Sequence, residues 1–69
     1  MRYKLLDSKN NVVDEVDIAP LDGKVGEQVT KKDGSVVYLL SVGEMTFERN
    51  GVTQQVVVGT KEEADAAAK

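Results

Sequence analysis

The stretch that decides the fold is Val36–Glu48, with the sequence VVYLLSVGEMTFE. Alternation in its first half predicts a strand, apolar on both sides, whose core face is formed by Val36, Tyr38, Leu40 and Val42. After Gly43 the phase changes, because Met45 and Phe47 become the apolar positions. One face can stay buried throughout only if an extra residue is accommodated at Gly43 or Glu44. The stretch therefore predicts one long strand with a glycine bulge or sharp bend.

A strand of this kind predicts a curled sheet. A strand that bends about a glycine can pair with one neighbour through its first half and with another through its second. The neighbours are expected at residues 27–32 and 52–58. Closing the sheet would also cover the valines at 56–58, whose exposed edge would favour aggregation. We therefore expect an all-β fold, in which five to six antiparallel strands form a meander that curls into a small barrel.

Three two-residue turn signals separate the apolar runs, and each predicts a hairpin. They are Asn10-Asn11, Asp33-Gly34 and Asn50-Gly51, of which the last two are typical of type I′ turns. The first hairpin is expected to pair residues 2–7 with residues 11–18. Asp14 interrupts the inner apolar row of the second strand, either at a bulge or at the open rim of a sheet.

The middle of the chain resembles a known family of small barrels. Residues 25–29 (VGEQV), 33–34 (DG) and 37–40 (VYLL) are similar to the V-G-[D/E]-x-V, D-G and x-Y-x-V pattern of SH3-like barrel domains, including those of bacterial and bacteriophage proteins. The resemblance covers about half of the chain and implies an SH3-like barrel. It implies no particular function, because such barrels bind nucleic acids or peptides or serve structural roles.

The C-terminal residues have the pattern of a short helix. Thr60 and Glu63 are spaced as a capping box, acidic residues occupy the first turn, and Lys69 lies at the end. A helix of about nine residues is shorter than the roughly 12 to 15 residues needed for stability in water, so it docks on the sheet, docks on a partner, or frays. We therefore divide the chain into a barrel, residues 1–59, and a short helix or tail, residues 60–69.

Composition argues against most catalytic chemistry. The 69 residues include no cysteine and no histidine, so disulfides and the usual zinc sites are excluded and only one modest core is possible. Ser8, Ser35 and Ser41 lie in no recognisable nucleophile motif, and Ser35 follows a turn where serine is common. We therefore expect no enzyme, no cofactor and no small-molecule substrate.

The densest acidic cluster does not have the pattern of a cation site. It consists of Asp14, Glu15, Asp17 and Asp22. These residues lack the spacing of a calcium loop, and strand alternation directs Asp14 away from Glu15 and Asp17. A solvated polar face is the favoured interpretation, and no metal site is predicted.

Binding to nucleic acid or membrane is not expected either. The net charge is −3, and the basic residues are scattered rather than arranged in a stripe with aromatic residues. No apolar run approaches a membrane-spanning length, and the first residues do not resemble a secretion signal. We expect a cytoplasmic location, which for a viral protein means the host cytoplasm or the virion.

Two functions remain. The favoured one is a non-enzymatic interaction or accessory structural module, for example a virion-associated or decoration-type protein, that binds another protein or itself. Its contact residues are expected in the irregular segment 19–26, where Leu21 and Val25 supply apolar anchors. The alternative is an acidic inhibitor of the anti-restriction or anti-CRISPR type, which occupies a basic groove of a nucleic-acid enzyme through Glu15, Asp17 and Asp22.

Overall fold

The computed structural model describes residues 1–49 and 51–68 and contains one five-stranded sheet and one helix. The elements are β1 (Arg2–Leu6), β2 (Val12–Asp17), β3 (Gln28–Thr30), β4 (Val36–Glu48), β5 (Gly51–Gly59) and α1 (Lys61–Ala67). The strand order is β2-β1-β5-β4-β3, and the sheet curls into a half-barrel consistent with a small SH3-like fold. The predicted all-β class and the short C-terminal helix are confirmed.

One strand pairing departs from the expected antiparallel order. β1 and β5 run parallel, whereas the pairs β1–β2, β3–β4 and β4–β5 are antiparallel. β2 lies at one edge of the sheet and β3 at the other, so the β1–β2 hairpin and the β3–β4–β5 meander join where β1 pairs with β5. These two strands have the same direction, which makes their pairing parallel.

The core lies on the concave face of the sheet, and all five strands contribute to it. Residues that lie directly opposite each other on neighbouring strands share a face, as Leu39 and Val58 do. The buried cluster consists of Tyr3, Leu5, Val16, Val29, Leu39, Val56 and Val58. Ile18, Leu21 and Val37 pack against it.

β4 contains two irregularities, of which the sequence predicted one. Its register against β5 shifts by one residue between Val42 and Met45, which confirms the bulge expected at Gly43 or Glu44. A second shift, between Leu39 and Ser41, was not predicted.

The second bulge corrects the predicted core face. Leu39 is fully buried, whereas 46% of the Val36 surface is exposed, and Tyr38 and Leu40 are only half-buried. The run is apolar on both sides, so alternation alone did not identify the buried side. The extra residue at Leu40 then returns Val42 to the face of Val56, which is the concave one.

The first two hairpin loops share one geometry, which is not the type I′ turn that was predicted for the second of them. In residues 7–11 the Asn10 N–H donates to Asp7 O and the Asp7 N–H to Asn11 O, and residues 31–35 repeat both bonds at the equivalent positions. Within these two loops, Asn10 and Gly34 alone have a positive φ, of 66° and 90°. The type I′ prediction for Asp33-Gly34 is therefore wrong, since that turn needs positive φ at both central residues. Asn50 of the third turn lies outside the described residues.

Asp14 holds the two edges of the half-barrel together. The register of β1 and β2 skips Val13, so Asp14 lies beside a bulge, and β2 is also an edge strand. Its carboxylate accepts the backbone N–H of Lys32 at 3.0 Å, across the seam between β2 and the β3–β4 turn. Both interpretations left open by the sequence therefore apply to this residue.

The helix docks on its own sheet. Thr60 and Glu63 form the predicted capping box, with the Thr60 hydroxyl accepting the Glu63 N–H and the Glu63 carboxylate accepting the Thr60 N–H. Ala64 is buried, and the helix contacts β4. A Cβ at Gly59 would lie 2.9 Å from a Leu40 methyl group, which shows how closely the helix entry approaches the strand. Lys69 lies outside the described residues.

Candidate functional site

At one end of the sheet, β4 extends past the strand that pairs with its other side. β3 pairs only with residues 36–38 of β4, whereas β5 follows β4 as far as Glu48. We use "the arm" for residues 42–48 of β4 together with residues 51–56 of β5, which from Thr53 onward also pairs with β1. We use "the free edge" for the side of β4, over residues 41–48, that faces away from β5. Among the residues that the structure describes, no backbone pairs with this edge.

The concave side of the arm carries an exposed apolar surface. Met45 lies opposite Gln54 and Phe47 opposite Val52, so both continue the side that holds the core. The exposed fraction is 49% for Val42, 48% for Met45 and 78% for Phe47. The expectation that Met45 and Phe47 complete the core is therefore wrong, because neither β3 nor the loop before it extends far enough to cover them. We call these three side chains the arm patch.

A buried glutamine fixes the bulge that orients the arm patch. Gln54 is buried, and its Nε2 donates to Gly43 O at 2.7 Å, to Glu44 O at 3.2 Å and to Gln55 O at 3.0 Å. The bulge frees the two β4 carbonyls from regular pairing, and the amide supplies their donor. A Cβ on Gly43 would lie 3.3 Å from Gln55 O, so glycine suits this close approach.

Two clefts lie beside the arm and share Met1 and Met45 as lining residues. The first, of about 350 Å³, lies between the arm and the 19–26 loop and is lined mainly by apolar side chains, including Tyr3, Leu21 and Val42. The second, of about 480 Å³, lies between the arm and the start of β1 and is more polar. Of the arm patch, Met45 thus borders both clefts and Val42 borders the first.

The 19–26 loop, which the sequence singled out, forms one wall of the first cleft. The Leu21 N–H donates to the buried Tyr3 hydroxyl at 2.7 Å, and the N–H groups of Asp22 and Gly23 donate to the two oxygens of the Glu27 carboxylate. Leu21 is half-buried against the core, and Asp22 lines the cleft. Val25 is exposed and lines neither cleft.

The acidic candidates on β2 are separated from the loop and lie opposite cations. Glu15 pairs with Lys4 and Asp17 with Arg2 across the β1–β2 ladder. Asp17 also accepts the terminal amino group of Met1 at 3.2 Å and lines the second cleft, whereas Glu15 lines neither. Glu15 and Asp17 therefore share one face of the β1–β2 ladder with cations, whereas Asp22 lies in the 19–26 loop.

The remaining polar groups serve the turns. Ser35 donates its hydroxyl and its N–H to the Asp33 carboxylate, and these bonds lower the pKa of Asp33. The Asn11 and Lys9 N–H groups likewise lower the pKa of Asp7, with the Asn11 bond the larger cause.

Across residues 1–49 and 51–68, no three acidic side chains gather in a way that could hold a metal ion. No helix in the same residues is long and apolar enough to cross a membrane.

The arm patch is the feature that sequence reasoning missed, although a signal for it was present. The predicted partner strand at 27–32 has six residues and cannot cover a strand of thirteen, so the far end of β4 was bound to extend past it.

Comparison with protein families, with curated proteins and with solved structures gave no match to this chain.

Proposed function

We propose that this protein is a non-enzymatic protein-interaction module that binds through the arm patch. One observation carries the proposal: Phe47, Met45 and Val42 are exposed on the same side of the sheet as the core. Single exposed apolar residues are common on protein surfaces, whereas a group that includes an aromatic side chain is typical of an interface. An accessory structural role within a larger assembly fits such a surface.

The surroundings of the patch support contact with a protein rather than with a small molecule. Two clefts adjoin it at Met45 and offer space for partner side chains, and Leu21 contributes apolar surface to the first of them. Charged groups lie at the rim, where Arg2 Nη1 is 4.0 Å from Glu48 Oε2. An apolar centre with a polar rim is the usual anatomy of a protein interface.

The test is a capture experiment with matched variants. The native chain, a Met45→Ser/Phe47→Ser variant and a Val12→Ser control are immobilised and exposed to extract of the native source. Val12 is exposed but lies on β2, outside the arm. We expect a stoichiometric partner on the native chain and the control and its loss from the double variant. Equal capture by all three chains would show that the patch is not the binding surface.

The acidic-inhibitor alternative stays a prediction from the sequence, because no specific observation favours it. Lys4 and Arg2 lie opposite Glu15 and Asp17 and offset their charge. Reversing Glu15, Asp17 and Asp22 together would abolish binding to a basic enzyme groove if that function were correct, whereas the Met45→Ser/Phe47→Ser variant would retain that binding.

A further inference from the structure

We infer that the free edge pairs with the free edge of a second copy of this chain, in an antiparallel register centred on Phe47. The inference rests on the proposed function, because it assigns a partner to the same arm. It starts from the edge itself, where no described backbone pairs with residues 45–48 on the side that faces away from β5. Addition of a strand is the standard way to satisfy such an edge.

Symmetry restricts the possible registers. Directly opposed residues of an antiparallel pair share a face, so a two-fold axis between identical strands must place one residue opposite its own copy. The bulge at Gly43 and Glu44 disturbs the edge on one side. The regular part that remains begins at Met45.

Charge and the bulge then select among the registers. A register centred on Thr46 would place Glu44 of each copy directly opposite Glu48 of the other. Like charges in direct opposition are unfavourable. Centring on Met45 would place the bulge of each copy against the regular strand of the other.

Centring on Phe47 avoids both problems. In this register Phe47 lies opposite Phe47 of the second copy, Thr46 opposite Glu48, and Met45 opposite Arg49. No like charges are then directly opposite each other. The two Phe47 rings, each 78% exposed in the single chain, would shield one another from water. Arg49 would lie diagonally beside the ring of the second copy, within reach of a cation–π contact.

The size of the contact sets the expected strength. Five residues of paired strand bury less than the roughly 1,200 Å² at the lower limit of standard stable interfaces. We therefore expect a weak dimer that forms as the concentration rises, rather than a permanent one.

Sedimentation equilibrium of the native chain, of Phe47→Lys and of Val12→Lys tests the association. The native chain and the Val12→Lys control are expected to form the same dimer. Phe47→Lys should weaken it by at least about tenfold, because it removes the opposed rings and introduces two opposed cations. A native chain that stays monomeric at millimolar concentration would overturn the inference, as would equal dimerisation by Phe47→Lys.

Disulfide trapping tests the register and keeps Phe47 in place. The chain has no cysteine, so Thr46→Cys and Glu48→Cys each introduce one thiol. In a mixture of the two variants, the 46–48 disulfide should form faster than the 46–46 and 48–48 disulfides, because only that pair is directly opposed. Fastest 46–46 trapping would contradict the register, and trapping no faster than in Val12→Cys would contradict the pairing. A monomer that still captures another protein through the arm patch would leave the proposed function standing and overturn only self-pairing.

Discussion

At the scale of single residues, Asp14 shows how one polar side chain stabilises the curl of the sheet. Strand alternation places it opposite Leu5 on the concave side, where an apolar residue would be expected. The bulge at Val13 brings the carboxylate to the seam, and there it accepts the N–H of Lys32 as well as that of Glu15. These bonds, with Lys32 the larger cause, lower the pKa of Asp14 below its ordinary value of 3.8.

This lowered pKa makes the seam sensitive to acid. A carboxylate whose pKa is lower in the folded state contributes stability above its unfolded pKa and loses it as the pH falls through the folded value. We expect Asp14→Asn to be less stable than the native chain at pH 7 and to approach it as the pH falls below about 3.8. Urea unfolding of both chains at several pH values measures this, and parallel curves would contradict it.

At the scale of elements, β4 is bent by an inserted residue and held by one amide. The Gln54 side chain supplies donors for Gly43 O and Glu44 O, so the bulge and the direction of the arm depend on a residue of the neighbouring strand. Helix α1, in which Ala64 is buried, also contacts this strand.

Replacement of Gln54 separates this hydrogen-bonding role from general packing. We expect Gln54→Met to reduce the free energy of unfolding by about 1 kcal/mol or more, because it leaves two carbonyls without their donor. The matched control is Gln55→Met, on the next residue of β5, which is half-buried and is expected to have a smaller effect. Urea denaturation gives the free energies, and amide exchange at residues 43–46 reports the bulge. Equal reductions in the free energy of unfolding in both variants would show that the Gln54 amide does not hold the bulge.

The elements also show which information the sequence contains. The bulge at Gly43 was predictable because the apolar phase changes there and a glycine accompanies the change. The bulge at Leu40 was not, because a run that is apolar on both sides looks the same before and after an insertion. The exposure of Phe47 depends on the length of β3, which has three residues and pairs with β4 no further than Tyr38. The hydrophobic pattern of β4 alone does not reveal the length of its neighbour.

At the scale of the whole molecule, the chain is a small core in which β3 leaves one end of β4 uncovered. Its radius of gyration is 11.4 Å, close to the roughly 11 Å expected for a compact chain of this length, yet its longest dimension is 37 Å against 24 and 22 Å for the others. The sheet leaves a seam between β2 and β3 that side chains bridge. A core of this size leaves little excess stability.

A cavity in the core should therefore unfold much of the population. Leu39 is fully buried, and leucine-to-alanine changes at such sites cost about 2 to 5 kcal/mol, which is comparable to the total stability expected of a chain this short. We expect Leu39→Ala to be largely unfolded at 37 °C by circular dichroism and Val36→Ala, at a half-exposed position of the same strand, to stay folded. A folded Leu39→Ala with native-like stability would show that the core does not depend on this contact.

The shared geometry of the two hairpin loops has a practical consequence for handling the protein. Residues 7–11 and 31–35 lie at the end of the sheet opposite the arm, since they follow Leu6 and precede Val36, whereas the arm ends near Glu48. Exposed loops of this kind tolerate insertions and attached groups. A surface tether placed in either loop would leave the arm facing away from the surface. The two loops therefore offer two alternative attachment points for single-molecule work.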